Sequence, residues 1–166
     1  MTIRPLLVAD AEELTRLYRA NREFLASNEP VRPPEFFTPE GQRRRIKERA
    51  ADGFHQFAIL DGDAIAGTIN VFHIVREMLQ SGTIGYWVDH ERNGRGLATG
   101  AVGEILGYAF DELALHRVEA ATLVENLPSQ RVLEKNRFEK IGLARRFLRI
   151  DDEWRDFLLF QRLVDD

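Results

Sequence analysis

The stretch Arg92-Asn93-Gly94-Arg95-Gly96-Leu97-Ala98-Thr99-Gly100-Ala101-Val102 says more about this chain than any other part of it. It follows a strand-like run, residues 83–88, and it opens a long apolar run with the character of a helix. The first amides of a helix have no acceptor inside it, and the helix dipole adds partial positive charge there. Gly94 and Gly96 let a ligand come close to the backbone. The stretch therefore predicts a phosphate-binding corner; the alternative is a tight loop without a ligand.

This corner differs from two established phosphate-binding signatures. The P-loop requires four residues between its glycines and then a lysine, whereas Gly94 and Gly96 are separated by Arg95 alone. The dinucleotide fingerprint requires a third glycine where Thr99 stands. A nucleotide bound here would therefore be held in some other way.

Length and composition exclude several classes of protein. The 166 residues are expected to form one domain over 1–166, and 44% hydrophobic with 30% charged content is typical of soluble globular proteins. The chain has no cysteine, which excludes disulfides and thiol catalysis and fits a cytoplasmic location. A net charge of −4 argues against direct nucleic-acid binding, and neither a signal peptide nor a membrane-spanning run is visible. His55, His90 and His116 lack metal-ligand spacing, so no metal site is predicted.

Hydrophobic periodicity and turn residues predict alternating strands and helices. The N-terminal half begins with a predicted strand over 2–8 and a helix from an Asp10 cap to about Ala26, with Glu13 as the capping-box partner. A proline-rich loop over 27–39 follows, and then a helix from Thr38 and Pro39 to about Ala51. A hairpin of 55–60 and 64–74 completes this half. The C-terminal half is predicted as a strand over 82–88, the corner and its helix, a strand over 117–124, a short helix capped by Ser129 and reaching about Asn136, and strands over 138–150 and 154–164.

The helix after the corner carries one narrow stripe of small or polar residues on an otherwise apolar surface. The stripe consists of Gly100, Gly103, Glu104, Gly107 and Asp111. Interior glycines destabilise a helix by about 1 kcal/mol each relative to alanine. Either another segment comes close to this stripe, or the helix is poorly optimised.

Two segments together resemble the GNAT acetyltransferase superfamily, in particular its ribosomal-protein-alanine N-acetyltransferase branch. They are Asn93-x-x-Gly96-x-Ala98 and Asn126-Leu127-Pro128-Ser129-Gln130-Arg131-Val132-Leu133-Glu134-Lys135-Asn136-Arg137-Phe138. Tyr86-Trp87 and Trp154-Arg155-Asp156 are also similar to that branch. The resemblance extends over nearly the whole chain. It implies an α/β (α+β) fold: a mixed, mostly antiparallel seven-stranded sheet with helices on both faces.

The resemblance also implies acetyl-CoA as the donor and assigns residues to it. The pyrophosphate would lie on the backbone amides from Gly94 to Thr99, that is of Gly94, Arg95, Gly96, Leu97, Ala98 and Thr99, and Asn93 would also bind the cofactor. The pantetheine arm would pair with Trp87 and Val88, an amide near Val88 would face the thioester oxygen, and Asn126 would hold the arm from the far side. Ser129 would lie beside the sulfur and protonate the departing thiolate. For Ser129 a plain helix cap is the alternative, and the two roles are compatible. Arg92, Arg95 and Arg131 are candidates to reach CoA phosphates.

The chain departs from the superfamily pattern at three positions. Asn93 stands where Gln or Arg is usual, and Arg137 stands where a glycine commonly precedes the phenylalanine. Leu133 occupies the place of a tyrosine that serves as the acid in many relatives, which shifts that role to Ser129. His73, Glu77 and Asp156 are candidates for a general base, but the pattern favours an ordinary exposed or packed histidine at His73 and a plain loop residue at Glu77, and no base is assigned.

Two further features have alternative interpretations. The basic run over 42–49 is a solvated helix face or a contact for an acidic or RNA-bound partner. Phe36 and Phe37 form a wall of the substrate pocket or a lid over the core.

The sequence thus predicts an acetyl-CoA-dependent N-acetyltransferase, monomeric or dimeric, whose acceptor is the N-terminal α-amino group of a protein, ribosomal by resemblance. A polyamine or aminoglycoside acceptor is the first alternative, and an acidic pocket rim would be its sign. A non-catalytic acetyl-CoA-binding module is the second, favoured by Asn93 and Arg137.

Overall fold

The computed structural model describes residues 2–165, and its elements follow the predicted order. The α-helices are α1 (Ala11–Ala20), α2 (Arg22–Ala26), α3 (Pro39–Ala51), α4 (Leu97–Gly107) and α5 (Leu127–Lys135). The strands are β1 (Ile3–Pro5), β2 (His55–Asp61), β3 (Ala64–Val75), β4 (Ser81–Val88), β5 (Arg117–Leu123), β6 (Glu139–Ile150) and β7 (Glu153–Leu163). Short 3-10 helices lie at Val8–Asp10, Pro34–Phe37 and His90–Arg92, and a π-helical turn, Tyr108–Glu112, follows α4.

The seven strands form one sheet in the order β1-β2-β3-β4-β5-β7-β6. Every neighbouring pair is antiparallel except β4 and β5, which are parallel and are connected through α4. This arrangement confirms the predicted fold class. Because parallel strands need a crossover, the corner between β4 and α4 lies at the carboxyl end of β4.

Helices cover both faces of the sheet. On one face α4 and α5 pack over alternate strand residues such as Ile69, Ile84 and Val118, all buried. On the other face α1, α2 and α3 enclose a second cluster that includes Leu14, Ile46, Ala58 and Trp87. Side chains of successive strand residues point to opposite faces, so β4 sends Tyr86 and Val88 toward α4 and α5 and sends Trp87 toward α1.

The N-terminal segment differs from the prediction. β1 covers only residues 3–5, because the chain turns at Val8–Asp10, where the Asp10 carboxylate accepts the Leu7 amide (2.7 Å) and pairs with Arg4 (2.8 Å). Asp10 therefore caps this turn and not α1. The expected capping box is wrong: Glu13 instead accepts the amide of Ile65 on β3 (3.0 Å).

The first predicted helix is two helices, because Asn21 interrupts it. Asn21 is completely buried, and its side-chain amide donates to the Leu17 carbonyl (3.0 Å) and to the Asp89 carboxylate (3.0 Å). Its side-chain oxygen accepts the His90 amide (2.9 Å). The break in the helix thus ties α1 to the segment that leads from β4 into the glycine corner.

The small-residue stripe of α4 has close neighbours. A Cβ on Gly100 would lie 3.0 Å from Thr2 Oγ1, and one on Gly103 would lie 3.3 Å from Asn136 Oδ1. Glu104 accepts the amides of Thr2 and Ile3. The first of the two interpretations is therefore correct at these positions: the glycines let the N-terminal strand and the end of α5 approach the helix.

Several other predictions are confirmed with small shifts. Thr38 caps α3 by accepting the Gly41 amide, with Pro39 in the first position, and the hairpin of β2 and β3 lies where it was expected. The proline-rich loop contains one 3-10 helix, Pro34–Phe37. Phe36 is buried against Tyr18, with ring centroids 4.7 Å apart, and so acts as a lid over the α1–α3 cluster.

Candidate active site

The parallel strands β4 and β5 separate after their first three residue pairs. Ser81, Gly82 and Thr83 pair with residues 117–119, and no further pair joins the two strands over the described residues. Beyond Thr83 the strands border a cleft of about 310 Å³. Its strand walls are Ile84–Trp87 and Ala120–Leu123, and α5 closes it with Ser129 and Leu133.

The backbone of β4 offers an amide to this cleft. A Cβ on Gly67 of β3 would lie 2.1 Å from the carbonyl oxygen of Trp87, so that carbonyl faces β3. In a trans peptide the N–H points opposite to the C=O. The amide of Val88 therefore points away from β3 and toward the opening between β4 and β5. This is the predicted position for a donor to a thioester oxygen.

The glycine corner has the conformation of an open anion site. Gly94 and Gly96 have φ of 79° and 81°, values that L side chains rarely adopt. A Cβ at either position would meet nothing within 4 Å, so the space over the turn is free. The first bond of α4 runs from the Gly100 amide to the Gly96 carbonyl (2.9 Å), which leaves the amides of Leu97, Ala98 and Thr99 without an intrahelical acceptor.

The other predicted corner residues differ in exposure. Asn93 and Arg95 are exposed, whereas Leu97 and Ala98 are partly buried against the α4–α5 core. The carbonyl of Thr99 accepts from Asn136 Nδ2 (3.2 Å), which fixes α4 to the end of α5. The corner therefore presents mainly backbone groups on a base that is packed and hydrogen-bonded.

Acidic residues hold the arginines of the corner. Asp61, at the end of β2, pairs with Arg95 (3.0 Å) and Arg92 (3.6 Å), and Arg92 also approaches Asp89 (3.5 Å). Asp89 is buried and bonded to Asn21. Arg131 is exposed on α5. Of the three arginines considered for phosphate binding, two thus have carboxylate partners within the protein.

Ser129 lies at the cleft, but it does not cap α5. The cap is Asn126, whose side-chain oxygen accepts the Ser129 amide (3.2 Å), and Ser129 is the third residue of the helix. Leu127 and Pro128 occupy the first two helical positions, and proline is favoured there because its missing N–H is not needed. The predicted capping role of Ser129 is therefore wrong, and its hydroxyl is free for another contact.

That contact is with Tyr86 of β4, which the sequence interpretation did not include among the site residues. The Tyr86 hydroxyl lies 2.9 Å from Ser129 Oγ and also donates to the Ser129 carbonyl (3.3 Å). Burial raises the pKa of Tyr86 to about 12, against the opposing effect of the Ser129 hydrogen bond. The phenol therefore keeps its proton at neutral pH. Forty-three positions separate the two residues, so local sequence signals could not connect them.

Thr122 provides an independent sign that the cleft receives a polar ligand. It lies on β5 in the cleft wall and is buried, and its hydroxyl has no hydrogen-bond partner among residues 2–165. Buried hydroxyls in proteins are nearly always satisfied, because an unsatisfied one costs about 1–3 kcal/mol. An amide or carbonyl of a bound pantetheine chain would satisfy it.

The candidate bases do not converge on the cleft. His73 and Glu77 lie at the end of β3, where Val75 pairs with Ser81, and both are exposed. This is the end of β4 remote from Val88, roughly 23 Å away at the usual rise of a strand. Asp156 is exposed, and its carboxylate accepts the Arg146 amide (2.7 Å) on β6. His73 and Glu77 thus lie at the end of a central strand, as expected, but at the end remote from Val88.

The part of the cleft on the α1–α3 side is lined by charged side chains. They are Glu29, Arg32, Arg45 and Arg49, joined by Asn28, Phe54 and Asn70. Arg45 and Arg49 belong to the basic run over 42–49, which the structure divides: Arg44 and Lys47 are exposed, whereas Arg45 and Arg49 are partly buried. The glycine corner packs with α4 on one face of the sheet, whereas these arginines come from the elements on the other face.

Two classes of feature are absent from the described part of the chain. No group of three or more His, Asp or Glu residues among positions 2–165 is arranged to hold a metal ion. None of the helices of the described chain is long and apolar enough to span a membrane.

Comparison with known proteins places these features in a family. The family described as acetyltransferase (GNAT) domain matches residues 1–139. Probable N-acetyltransferase YjcK of Bacillus subtilis (strain 168) is 42% identical over 99% of this chain and 94% of its own length. The crystal structure of ribosomal-protein-S5-alanine acetyltransferase from Vibrio fischeri superposes with a TM-score of 0.93, is 32% identical, and covers 99% of this chain and 93% of that one. Mycobacterium smegmatis RimJ in complex with CoA-disulfide superposes with a TM-score of 0.94, is 29% identical, and covers 98% and 81% of the two chains.

Proposed function

The chain belongs to the GNAT acetyltransferase family and uses acetyl-CoA as its donor, and we propose that it acetylates the N-terminal α-amino group of a protein. The observation that carries the proposal is the splay of β4 and β5 beside the glycine corner. The Ser129–Tyr86 pair lines the cleft between these strands, and the Val88 amide and the free amides of the corner follow directly along the chain from the end of β4. We take residues 1–166 to form one acetyltransferase domain.

The donor is held largely by backbone groups. The pyrophosphate accepts hydrogen bonds from backbone amides between Gly94 and Thr99, and the dipole of α4 reinforces them. The pantetheine arm follows the open edge of β4 at Trp87 and Val88. Since the indole of Trp87 is buried and donates to the Tyr18 hydroxyl (3.0 Å), this residue contributes its backbone to the arm. Asn126 meets the arm from α5 while it caps the helix.

The reaction is a direct transfer within a ternary complex. The neutral amine attacks the thioester carbonyl carbon, and the Val88 amide stabilises the negative charge that develops on the oxygen. An α-amino group titrates near 8, so a usable neutral fraction exists at pH 7 without a strong base. Holding both reactants in one cleft supplies much of the rate enhancement. The proposal assigns no general base.

Ser129 completes the reaction as the acid. When the carbon–sulfur bond breaks, the Ser129 hydroxyl donates its proton to the departing thiolate. The protonated phenol of Tyr86, 2.9 Å away, can then donate to the serine oxygen, and the proton that the attacking nitrogen releases to water restores the phenol. Leu133, at the place where many relatives have a tyrosine, is fully buried, and Tyr86 brings a phenol to the same cleft from the strand side.

The charge of the cleft supports a peptide acceptor over a polyamine or aminoglycoside. Of the charged residues that line it, three are arginines and one is Glu29, which already pairs with Arg32 (3.1 Å). A polycation would be repelled by such a lining, so the acidic rim expected for that alternative is missing from the described cleft. The likeness to an enzyme that acetylates a ribosomal-protein alanine favours an N-terminal alanine of a ribosomal protein, and the proposal places the reaction in the cytoplasm.

Release of the CoA thiol tests this function. The protein is incubated with acetyl-CoA and with alanine-terminated peptides, spermidine or an aminoglycoside, and mass spectrometry locates the acetyl group. We expect thiol release with peptides and acetylation at the α-amino group. Faster release with spermidine or the aminoglycoside would contradict the protein acceptor, and CoA binding without release for any amine would indicate a non-catalytic module.

A further inference from the structure

Three arginines form a cluster on the acceptor side of the cleft. Arg45 and Arg49 are one turn apart on α3, and Arg32 comes from the preceding loop; we call these three the arginine cluster. Their guanidinium groups lie over aromatic rings: Arg49 over Phe54 (4.6 Å), Arg45 over Phe36 (5.2 Å) and Arg32 over Phe36 (4.9 Å). The rings hold the cations in place without neutralising them.

Two members of the cluster have no anionic partner. Arg32 pairs with Glu29, but among residues 2–165 neither Arg45 nor Arg49 has a guanidinium hydrogen bond or a carboxylate within 4.0 Å. Two neighbours on the same helix behave differently: Arg43 pairs with Glu12 (3.0 Å), and the exposed Arg44 approaches Glu48 (3.8 Å). The two unpaired arginines of α3 are thus the ones that line the cleft.

The electrostatics of this position favour an incoming anion. Burial, and then the nearby charge of Arg45, lower the pKa of Arg49 to about 10, so the group stays charged at neutral pH although its charged form is disfavoured. A planar guanidinium matches a carboxylate through paired hydrogen bonds. The phosphates of CoA do not reach this place if they lie at the glycine corner, because the corner is across the sheet.

We propose that Arg45 and Arg49 bind a carboxylate of the acceptor, and that the enzyme selects protein N-termini with an acidic side chain close behind the acetylated residue. This inference rests on the proposed function for the identity of the acceptor. One continuous cleft is lined by Ser129 at one end and by Arg49 at the other, so an acceptor that enters from the α3 side passes the arginines on its way to the thioester. The α-amino group then lies at the thioester while the acidic side chain reaches α3.

Matched peptides provide the test. Amide-capped peptides begin with alanine and carry one glutamate, or one glutamine, at the second, third or fourth position. A further pair, Ala-Gly-Gly with a free or an amidated C-terminus, separates a side-chain carboxylate from a terminal one. For each pair kcat/KM is measured by CoA release, and peptide affinity is measured by calorimetry in the presence of CoA.

We expect the glutamate peptide to exceed its glutamine counterpart by about 10-fold in kcat/KM and in affinity at one position, the usual effect of a charge-assisted pair. In Arg45→Gln and in Arg49→Gln the kcat/KM of the glutamate peptide should fall to that of the glutamine peptide, which itself should not change. Arg49→Lys should keep part of the preference, and Arg44→Gln, the matched control on the same helix, should keep all of it.

Two outcomes would overturn the proposal. One is equal use and binding of the glutamate and glutamine peptides by the unmodified protein at every position, a result that needs no variant. The other is a decrease in kcat/KM that is equal for the glutamate and the glutamine peptide in Arg49→Gln, which would make the arginine a packing residue for Phe54.

The remaining outcomes identify the carboxylate. If the enzyme prefers only the free over the amidated Ala-Gly-Gly, the carboxylate that binds the arginines is the C-terminus of a short free acceptor, and the proposal of an acidic side chain is overturned. If no peptide is acetylated but glutamate peptides bind more tightly, the proposed function fails and the carboxylate site stands.

Discussion

The two sides of the cleft are built from different parts of the polypeptide. The donor side, from Val88 through the glycine corner to the start of α4, offers backbone amides whose geometry depends on Gly94 and Gly96. The acceptor side offers side chains that come from separate elements, such as Arg45 and Arg49 of α3 and Phe54 before β2. A site of backbone groups is set by local conformation, whereas a site of side chains is set by which elements pack together.

This difference has a consequence for how the two sides change. On the donor side, few residues can replace the two glycines, because their φ angles are positive. The identity of most neighbouring side chains matters little, because those residues contribute backbone amides. The acceptor side can take a new specificity through one or two substitutions on α3 without disturbing the sheet. The same fold can thus keep one donor and serve different acceptors.

The largest effect is expected for Gly96→Val, which would break the donor side. A side chain at a φ of 81° strains the turn by about 1–2 kcal/mol and covers the free amides. CoA at about 100 times its Kd should raise the melting temperature of the natural protein by about 5–10 °C. In Gly96→Val this rise should disappear.

Gly53→Val is the matched control for that experiment. Gly53 has nearly the same φ, 80°, and equally open surroundings, but it follows α3 away from the corner. The control should lose similar stability and keep the full response to CoA. An undiminished CoA shift in folded Gly96→Val would show that the corner is a plain loop.

Ser129→Ala tests the side chain of α5 that we propose acts as the acid beside the donor. Loss of the acid should lower kcat by about 10²-fold and leave the KM for acetyl-CoA nearly unchanged. Stability should change little, because Asn126 and not Ser129 caps α5. Steady-state kinetics under conditions where chemistry limits the rate provide the measurement, and an unchanged kcat would remove the assignment.

Tyr86→Phe distinguishes the contribution of the Tyr86 hydroxyl to the rate from that of the Ser129 hydroxyl. If the tyrosine only supports Ser129, its loss should cost less rate than the loss of the serine. Because the pKa of Tyr86 is about 12, the rate of the natural protein should rise as the acceptor amine loses its proton near pH 8 and then stay level to pH 10. A fall between pH 9 and 10 would mean that an acid with a lower pKa is at work.

Asn126→Ala should change mainly stability. Removing a side-chain cap typically costs about 1 kcal/mol, or about 2–4 °C in melting temperature for a chain of this size. If Asn126 also holds the pantetheine arm, the Kd of acetyl-CoA should increase, whereas that of a free acceptor peptide should not. A loss of stability with unaltered acetyl-CoA affinity would confine Asn126 to the cap.

The smallest effect is expected for Arg137→Gly. Arg137 follows α5 with a φ of 59°, a left-handed position that glycine occupies without strain, and its side chain is exposed. The substitution should raise the free energy of unfolding by about 0.5–1 kcal/mol, with no change in kcat. A loss of activity would show that this departure from the family pattern serves function and is not merely a tolerated strain.

The order of the elements and the glycine corner could be predicted from the sequence because both depend on near neighbours. Periodicity is a local property, and Thr38 with Pro39 marks the start of α3 wherever that helix lies. The errors also have a local origin. Asp10 and Ser129 both match a capping pattern, but a competing partner was not visible: Arg4 and Leu7 bind Asp10, and Asn126 takes the cap of α5.

By itself, then, the sequence determined the order of strands and helices and the glycine turn between β4 and α4, because periodicity and glycine spacing are local properties, whereas the mixed sheet was predicted through the family resemblance. Only the tertiary structure decided the rest of the site. It brought Tyr86 to Ser129 across forty-three positions, it left the hydroxyl of Thr122 without a partner among the described residues, and it turned two arginines of the run over 42–49 into the cleft. Such contacts depend on where the sheet splays and on how α3 lies against it, and the packing of distant residues sets both.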